Sequence, residues 1–342
     1  MVKPEALRTK QGRTCRTASV PAYFGDGIVI MAHPIQKLFS IFTARALPPE
    51  TDEVESRCDE RHEITFASAI GSNEEYATAY AKLAVAIGGR EKTPPLEEWQ
   101  VIRQLLNKRA NPSGSLGPAD CFLLAAFVSI IRPRRMIEIG TGSGFSSALL
   151  ASIMQLQEPN LRAPWLDTFD VQTKYFGDAT LPVGFEIRRL IPEFPELVRV
   201  HAPGESSLVG KLTDKNELEL VFIDGNHQHP CVLLDLLRIA PYLRGGSWVL
   251  LHDIRLGTLV EESRHTAAPL PFKAVFGAEW LFNDWPWSNI DGGNIGAIQL
   301  PQHKKALQRF ARSMMKRPLE VCEESYCRMD REVGEAVHAC CR

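Results

Sequence analysis

Hydrophobic positions fall into two regimes along the chain. From Asn73 they recur at helical spacing, with Tyr76, Ala79, Tyr80, Leu83 and Ile87 on one face and a stop at Gly88-Gly89. A second helical pattern is expected from about 95 to 108, using Leu96, Trp99, Ile102, Leu105 and Leu106. After the turn Asn111-Pro112-Ser113-Gly114, a third runs from 118 to about 131 and is apolar nearly all round, so it should be buried. From Arg135 the regime changes. Short apolar runs at 136–139, 165–170, 198–201, 218–223, 247–251, 272–276 and 295–300 read as strands, with helical segments at 145–157, 185–191, 231–240 and 259–266. Short apolar strands separated by helices imply a mostly parallel α/β sheet of Rossmann-like kind, covered on both faces and preceded by a helical region. Residues 1–70 lack sustained periodicity and are expected to be disordered or loosely packed. The organisation expected is therefore an arm (1–70), a helical cap region (71–131), a sheet domain (132–302) and a helical tail (303–342).

Composition narrows the class without naming it. The 342 residues are 44% hydrophobic and 23% charged with a formal net charge of −2, which gives no general reason to bind nucleic acid. No run is long and apolar enough for a membrane span, and the cytoplasm is the default expectation. Lys3, Arg8, Lys10, Arg13 and Arg16 make the first residues basic, as in an organelle transit peptide or a disordered arm. The 8 cysteines are scattered, against a disulfide scaffold. A zinc site could be drawn through Cys322, Cys327, His338, Cys340 and Cys341, but paired C-x2-C knuckles are missing and a reduced, solvated tail is expected.

In an open parallel sheet, ligands sit at the carboxyl ends of strands, so residues that end strands carry the information. The run MIEIGTGSGFSSALL takes a strand into Gly140, Gly142 and Gly144 and then directly into a helix. Such a loop lets a ligand approach the backbone and presents helix N–H groups to an anion. The nicotinamide fingerprint needs a third glycine at 145, where Phe145 stands, and Glu138 is poorly placed beside a pyrophosphate. An acid there suits a cofactor with an amino-acid end and an ammonium to satisfy. Asp170 ends the second strand and could accept ribose hydroxyls, or simply cap a helix. The third strand runs into Ala202-Pro203-Gly204-Glu205-Ser206, a small polar turn able to flank an adenine. The fourth ends on Asp224-Gly225 and the fifth on His252-Asp253. Capping explains any one of these; it explains four in register poorly.

Together, EIGTGSGFS, the acid after the second strand, FIDGNH and the GG strand ending in HD resemble class I S-adenosylmethionine-dependent methyltransferases, over about residues 115–300. The likeness is to the catechol-type O-methyltransferases and to bacterial enzymes that methylate sugars and natural products. It implies S-adenosyl-L-methionine as cofactor and a seven-stranded sheet whose last strand, 295–300, is antiparallel. By the same resemblance Glu138, Gly140 and Gly142 line the methionine portion, Ser146 holds its carboxylate, Asp170 the ribose, and Glu205 or Ser206 the adenine edge, with Gly144 and Asp224 also on the cofactor. His227, three residues past Asp224, falls on the family's catalytic base; it could instead cap the next helix. Asp224 and Asp253 fall on two metal-binding acids, so a divalent cation such as Mg2+ is a possible second cofactor. The amide expected third is Ile254, which cannot ligate; His252 is the candidate substitute, though magnesium prefers oxygen. Trp280, Trp285 and Trp287 crowd a stretch read as a loop, which would suit a flat or sugar-like acceptor.

The function expected is O-methylation of a hydroxyl on a small molecule, with Asp224, His227 and His252 as catalytic candidates. The rivals are an NAD-dependent oxidoreductase and a non-catalytic cofactor-binding protein.

Overall fold

The fold was obtained as a computed structural model, which describes residues 62–65, 72–254 (apart from 89, 91, 111–115, 163, 216 and 228–230), 280–284, 294–299, and the single positions 331 and 335. All belong to one compact unit within residues 50–342.

Strands and helices follow in the order β1 (His62–Thr65), α1 (Asn73–Gly88), α2 (Glu98–Lys108), α3 (Pro118–Ile131), β2 (Met136–Ile139), α4 (Phe145–Gln157), β3 (Leu166–Phe169), β4 (Lys174–Tyr175), β5 (Asp178–Pro182), α5 (Phe185–Leu190), β6 (Val198–His201), β7 (Leu218–Ile223), α6 (Cys231–Ile239), β8 (Leu243–Leu251), β9 (Trp280–Asp284) and β10 (Gly296–Gln299). The main sheet is ordered β1-β9-β10-β8-β7-β2-β3-β6. Strands β6, β3, β2, β7 and β8 are mutually parallel, while β10 lies antiparallel between β8 and β9. Chain order reverses between β2 and β7, and that reversal opens a crevice at their carboxyl ends.

The local reasons are legible in the residues. Every residue of β2 and β3 is buried, as a strand covered on both faces requires. Helix α3 begins with Pro118 in its first turn and is buried along almost its whole length. It stops at Arg132, whose φ of 52° is left-handed and whose N–H bonds back to the Val128 carbonyl. Helices α1 and α2 close on α3 through aromatics: the Tyr76 ring stacks on Trp99 at 5.4 Å and meets the Phe122 edge-on at 5.2 Å. Below them Glu98 is fully buried and accepts a hydrogen bond from the Tyr76 hydroxyl; burial pushes its carboxyl up to about 7.

Three features add to the residue pattern. Among the described residues the main sheet has eight strands, with His62–Thr65 pairing in parallel with β9. Trp280 stands in a strand, Trp280–Asp284, whose residues 280–282 pair with β10, so the segment read as a loop begins as sheet. A β4–β5 hairpin, paired antiparallel, lies between β3 and α5 where no strands were expected. It was missed because Asp178–Pro182 is mostly exposed and lacks a buried face to set a period. The expected strand 272–276, helix 259–266, Trp285, Trp287 and the cysteine-bearing tail lie outside the described residues.

Candidate active site

Strand β2 delivers the glycine loop, and its backbone is constrained by neighbours. Gly140 has φ +97°, and a Cβ on it would lie 1.9 Å from the Asp224 carbonyl oxygen. The ends of β2 and β7 therefore touch through this residue. Gly144 has φ +87° and abuts Gly184 and Ile187, while a Cβ on Gly142 (φ +50°) would meet only the Phe176 ring, at 3.7 Å. Of the three, Gly142 alone borders open space. The α4 N-terminus that follows gets no cap from Gly144 itself, though its first N–H, at Phe145, donates to Ser143 Oγ at 3.3 Å, and its positive end lies at the crevice.

Glu138 is fully buried under this loop and accepts hydrogen bonds from the hydroxyls of both Ser146 and Ser147. Burial raises its carboxyl to about 7, against the pull of those hydrogen bonds. Ser146 is thus committed to Glu138. Asp170, at the end of β3, accepts from the Gly142 N–H at 3.0 Å through one oxygen and from the Gln172 N–H at 2.9 Å through the other. It ties the glycine loop to the neighbouring strand end and keeps lone pairs for a further donor. The loop also reaches α5: the Gly184 N–H donates to the Gly142 carbonyl at 3.0 Å, and buried Glu186 accepts from Ser143 Oγ at 3.2 Å. Past β6, Ser206 is buried and donates to Asp235 Oδ1 at 2.6 Å, while Glu205 stands half-exposed, 3.5 Å from Arg238. Burial lifts the Asp235 carboxyl to about 6.

The second cluster grows from the ends of β7 and β8. The Asp224 N–H donates to Ile139 at 2.7 Å and the His252 N–H to Ile223 at 3.0 Å, so the ladder carries both residues just past the strand ends in register. Their side chains meet, His252 Nδ1 to Asp224 Oδ1, at 2.7 Å. His227 Nε2 lies 2.8 Å from Asp253 Oδ2 and 3.7 Å from Asp224 Oδ1. Asp120, from α3, brings a third carboxylate: one oxygen lies 3.8 Å from His252 Nε2, and the other accepts the backbone N–H groups of Asn294 and Ile295 at 2.6 and 3.0 Å. The Asn294 amide donates to Asp253 Oδ1 at 2.5 Å. Burial alone would lower the pKa of the His252 imidazolium, but Asp224, Asp253 and Asp120 around it outweigh that and hold it well above its ordinary value. Asp253 is likewise held down despite its burial, by His252, His227 and the Asn294 amide.

All the sequence-predicted residues therefore fall on one edge of the sheet, in two groups that meet where Gly140 touches Asp224. One group is Glu138, Gly140, Gly142, Gly144, Ser146 and Asp170, with Glu205 and Ser206 on the next turn. The other is Asp224, His227, His252 and Asp253. Asp224, His227 and His252 could share a metal ion, since their ligand atoms lie within 4.8 Å of one another. Ile254 is buried and donates its N–H to the Asn294 carbonyl at 3.2 Å, taking no part in the polar cluster. Sequence reasoning missed Asp120, Asn294 and Ser147. Asp120 sits in an apolar helix and Asn294 follows two glycines; the only local clue was a carboxylate within an otherwise buried run.

Residues 137–254 match the model of a family described as a methyltransferase domain. No curated protein sequence matches the chain. Among solved structures it is similar to the O-methyltransferase TomG of Streptomyces achromogenes, involved in tomaymycin synthesis, in complex with SAM: 17% identity, TM-score 0.43, over 68% of this chain and 100% of that one. It is similar also to an O-methyltransferase of Bacillus cereus in complex with SAH (16%, TM-score 0.39, 67% and 100%) and to the SAH-bound methyltransferase PaMTH1 of Podospora anserina (14%, TM-score 0.36, 74% and 92%). The matched segment spans β2 to the end of β8 and so contains both residue groups of the sheet edge. Over residues 137–254, about a third of the chain, it is therefore similar to a methyltransferase domain.

Proposed function

We propose that the protein transfers a methyl group from S-adenosylmethionine to a hydroxyl of a small molecule, a sugar or natural product, with His227 as general base. The observation that carries this reading is the meeting of the two groups: the glycine loop and the histidine–carboxylate cluster are joined where Gly140 packs on Asp224. A cofactor seated on the loop would place its reactive end beside the cluster.

The residues suit that cofactor. Gly142 leaves open room at the loop, and the positive end of the α4 N-terminus suits a carboxylate. Asp170 has lone pairs for ribose hydroxyls, and the turn at Glu205 and Ser206 borders the adenine side. Glu138 acts through Ser146 and Ser147, fixing the helix start from beneath the loop. Bound there, S-adenosylmethionine supplies an electrophilic methyl on a sulfonium, and the protein must then align an acceptor oxygen and remove its proton. His227 is three-quarters buried and is oriented by Asp253 at 2.8 Å, the base–orienter pairing such a step needs. His252, held by Asp224 and Asp120, keeps positive charge beside the acceptor site.

A second reading has one specific observation behind it: Asp224, His227 and His252 converge closely enough to hold a divalent cation, with mixed nitrogen and oxygen donors. Asp253 is then an outer support rather than a ligand. The histidine route is favoured because each histidine already has a carboxylate partner at 2.7–2.8 Å. Turnover in chelator, measured by mass spectrometry with a deuterated-methyl cofactor and a small-molecule extract, separates the two. The base mechanism predicts unchanged activity in chelator and a large loss in His227→Gln; abolition by chelator supports the metal.

A further inference from the structure

A polar cavity opens at the opposite edge of the sheet. Helix α3 ends where β2 begins, and α4 runs from the end of β2 back to Gln157, so the last turns of both helices lie at the amino edge. Between them and the segment linking α1 to α2 is an open cavity of about 670 Å³. That volume is in the range of small-molecule sites. Its lining includes Arg90, Lys92 and Arg132, the polar groups Ser129 and Gln157, and the Pro94-Pro95 wall; no carboxylate is among its described lining residues.

The cations are not accounted for by the fold. Lys92 Nζ donates to the Ile130 carbonyl at 2.7 Å and so completes the C-terminus of α3. That leaves Arg90 and Arg132, which are exposed and have no ion-pair partner among the described residues. Arg132 also holds a left-handed φ of 52°, a conformation that glycine or asparagine adopts more cheaply at a helix end. Partial burial, then the charges of Arg90 and Arg132, depress the Lys92 ammonium, so the three groups repel one another. The floor is built rather than accidental: Ser129 is buried and its Oγ lies 2.9 Å from the Tyr80 hydroxyl and 3.0 Å from Gln157 Nε2. A multiply charged anion would remove the repulsion and meet donors on three sides.

We propose that this amino-edge pocket binds a small molecule through a phosphate or diphosphate group, at a site separate from the carboxyl edge. The probe is pyrophosphate, titrated calorimetrically into the full-length protein at constant ionic strength, with and without saturating S-adenosylhomocysteine. Saturable binding is expected, unaffected by S-adenosylhomocysteine. It should weaken about tenfold or more in Arg90→Ala/Arg132→Asn, as loss of charge-assisted hydrogen bonds implies. Asparagine tolerates the left-handed backbone at 132, and Arg90→Ala alone, at an exposed linker position, provides a variant with no fold to disturb; it should show a smaller loss in the same direction. Binding no tighter than that of chloride, the same affinity in both variants as in the parent, or displacement of pyrophosphate by S-adenosylhomocysteine would each overturn the proposal.

Discussion

Replacing Gly140 by alanine separates packing from ligand approach as the reason for a glycine at this position. The added Cβ would stand 1.9 Å from the Asp224 carbonyl oxygen, 2.4 Å from its carbon and 2.8 Å from the Gly225 nitrogen. All three are backbone atoms, so no side chain can swing aside. The φ of +97° lies beyond the small left-handed region open to alanine, a strain of about 1–3 kcal/mol. Moving one strand end away from the other adds about 1–3 kcal/mol of overpacking. Gly140→Ala should therefore cost about 2–6 kcal/mol, much of a typical domain's stability. Gly142→Ala is the control: its Cβ meets only the Phe176 ring at 3.7 Å, and at φ +50° the backbone penalty is about 1–2 kcal/mol. Denaturant titrations of both variants, read as midpoint and slope, give the comparison. Equal, small losses of stability in the two would refute the reasoning and assign Gly140 to ligand approach alone.

The remaining predictions concern the polar groups. His227→Gln should lower kcat by about 10²-fold or more while leaving cofactor affinity nearly unchanged, checked by steady-state rates beside binding titrations. Asp170→Ala should weaken S-adenosylhomocysteine binding by about 1–3 kcal/mol of charge-assisted hydrogen bonding, measured by calorimetry. The Glu138 carboxyl is raised from 4.5 to about 7 by burial, so the folded protein keeps a proton that the unfolded chain has given up. That contribution is complete below about 4.5 and is lost as pH rises through about 7. Across this window the parent should therefore lose stability relative to Glu138→Gln, by up to about 1.4 kcal/mol per pH unit; a pH-independent difference in denaturation midpoints would contradict it.

Strands with a buried face and helices with a clear period were legible in the residues. The four-residue runs at β2 and β6 and the six of β7 fall where their apolar or alternating patterns put them. The strand-ending acids and histidines came together because a parallel sheet aligns its carboxyl ends, whatever the intervening sequence. Less legible were features set by distant partners. Nothing near His62 announces a strand, since its pairing is with Trp280–Asp284 far along the chain. Asp120 reads as an oddity in an apolar helix until its contacts with Asn294 and His252 are seen. Gly140 was read as room for a ligand, and the geometry adds a close backbone neighbour that no local pattern could reveal. Ser146 was expected to face a cofactor carboxylate, but in the fold its hydroxyl is given to Glu138.

The most direct test of S-adenosylmethionine as the cofactor is a calorimetric titration of the protein with S-adenosylhomocysteine beside one with NADH. Saturable one-site binding of S-adenosylhomocysteine, weakened in Asp170→Ala, with no heat from NADH, is the predicted result. Binding of NADH without binding of S-adenosylhomocysteine would contradict it, and the glycine loop would then belong to hydride-transfer chemistry.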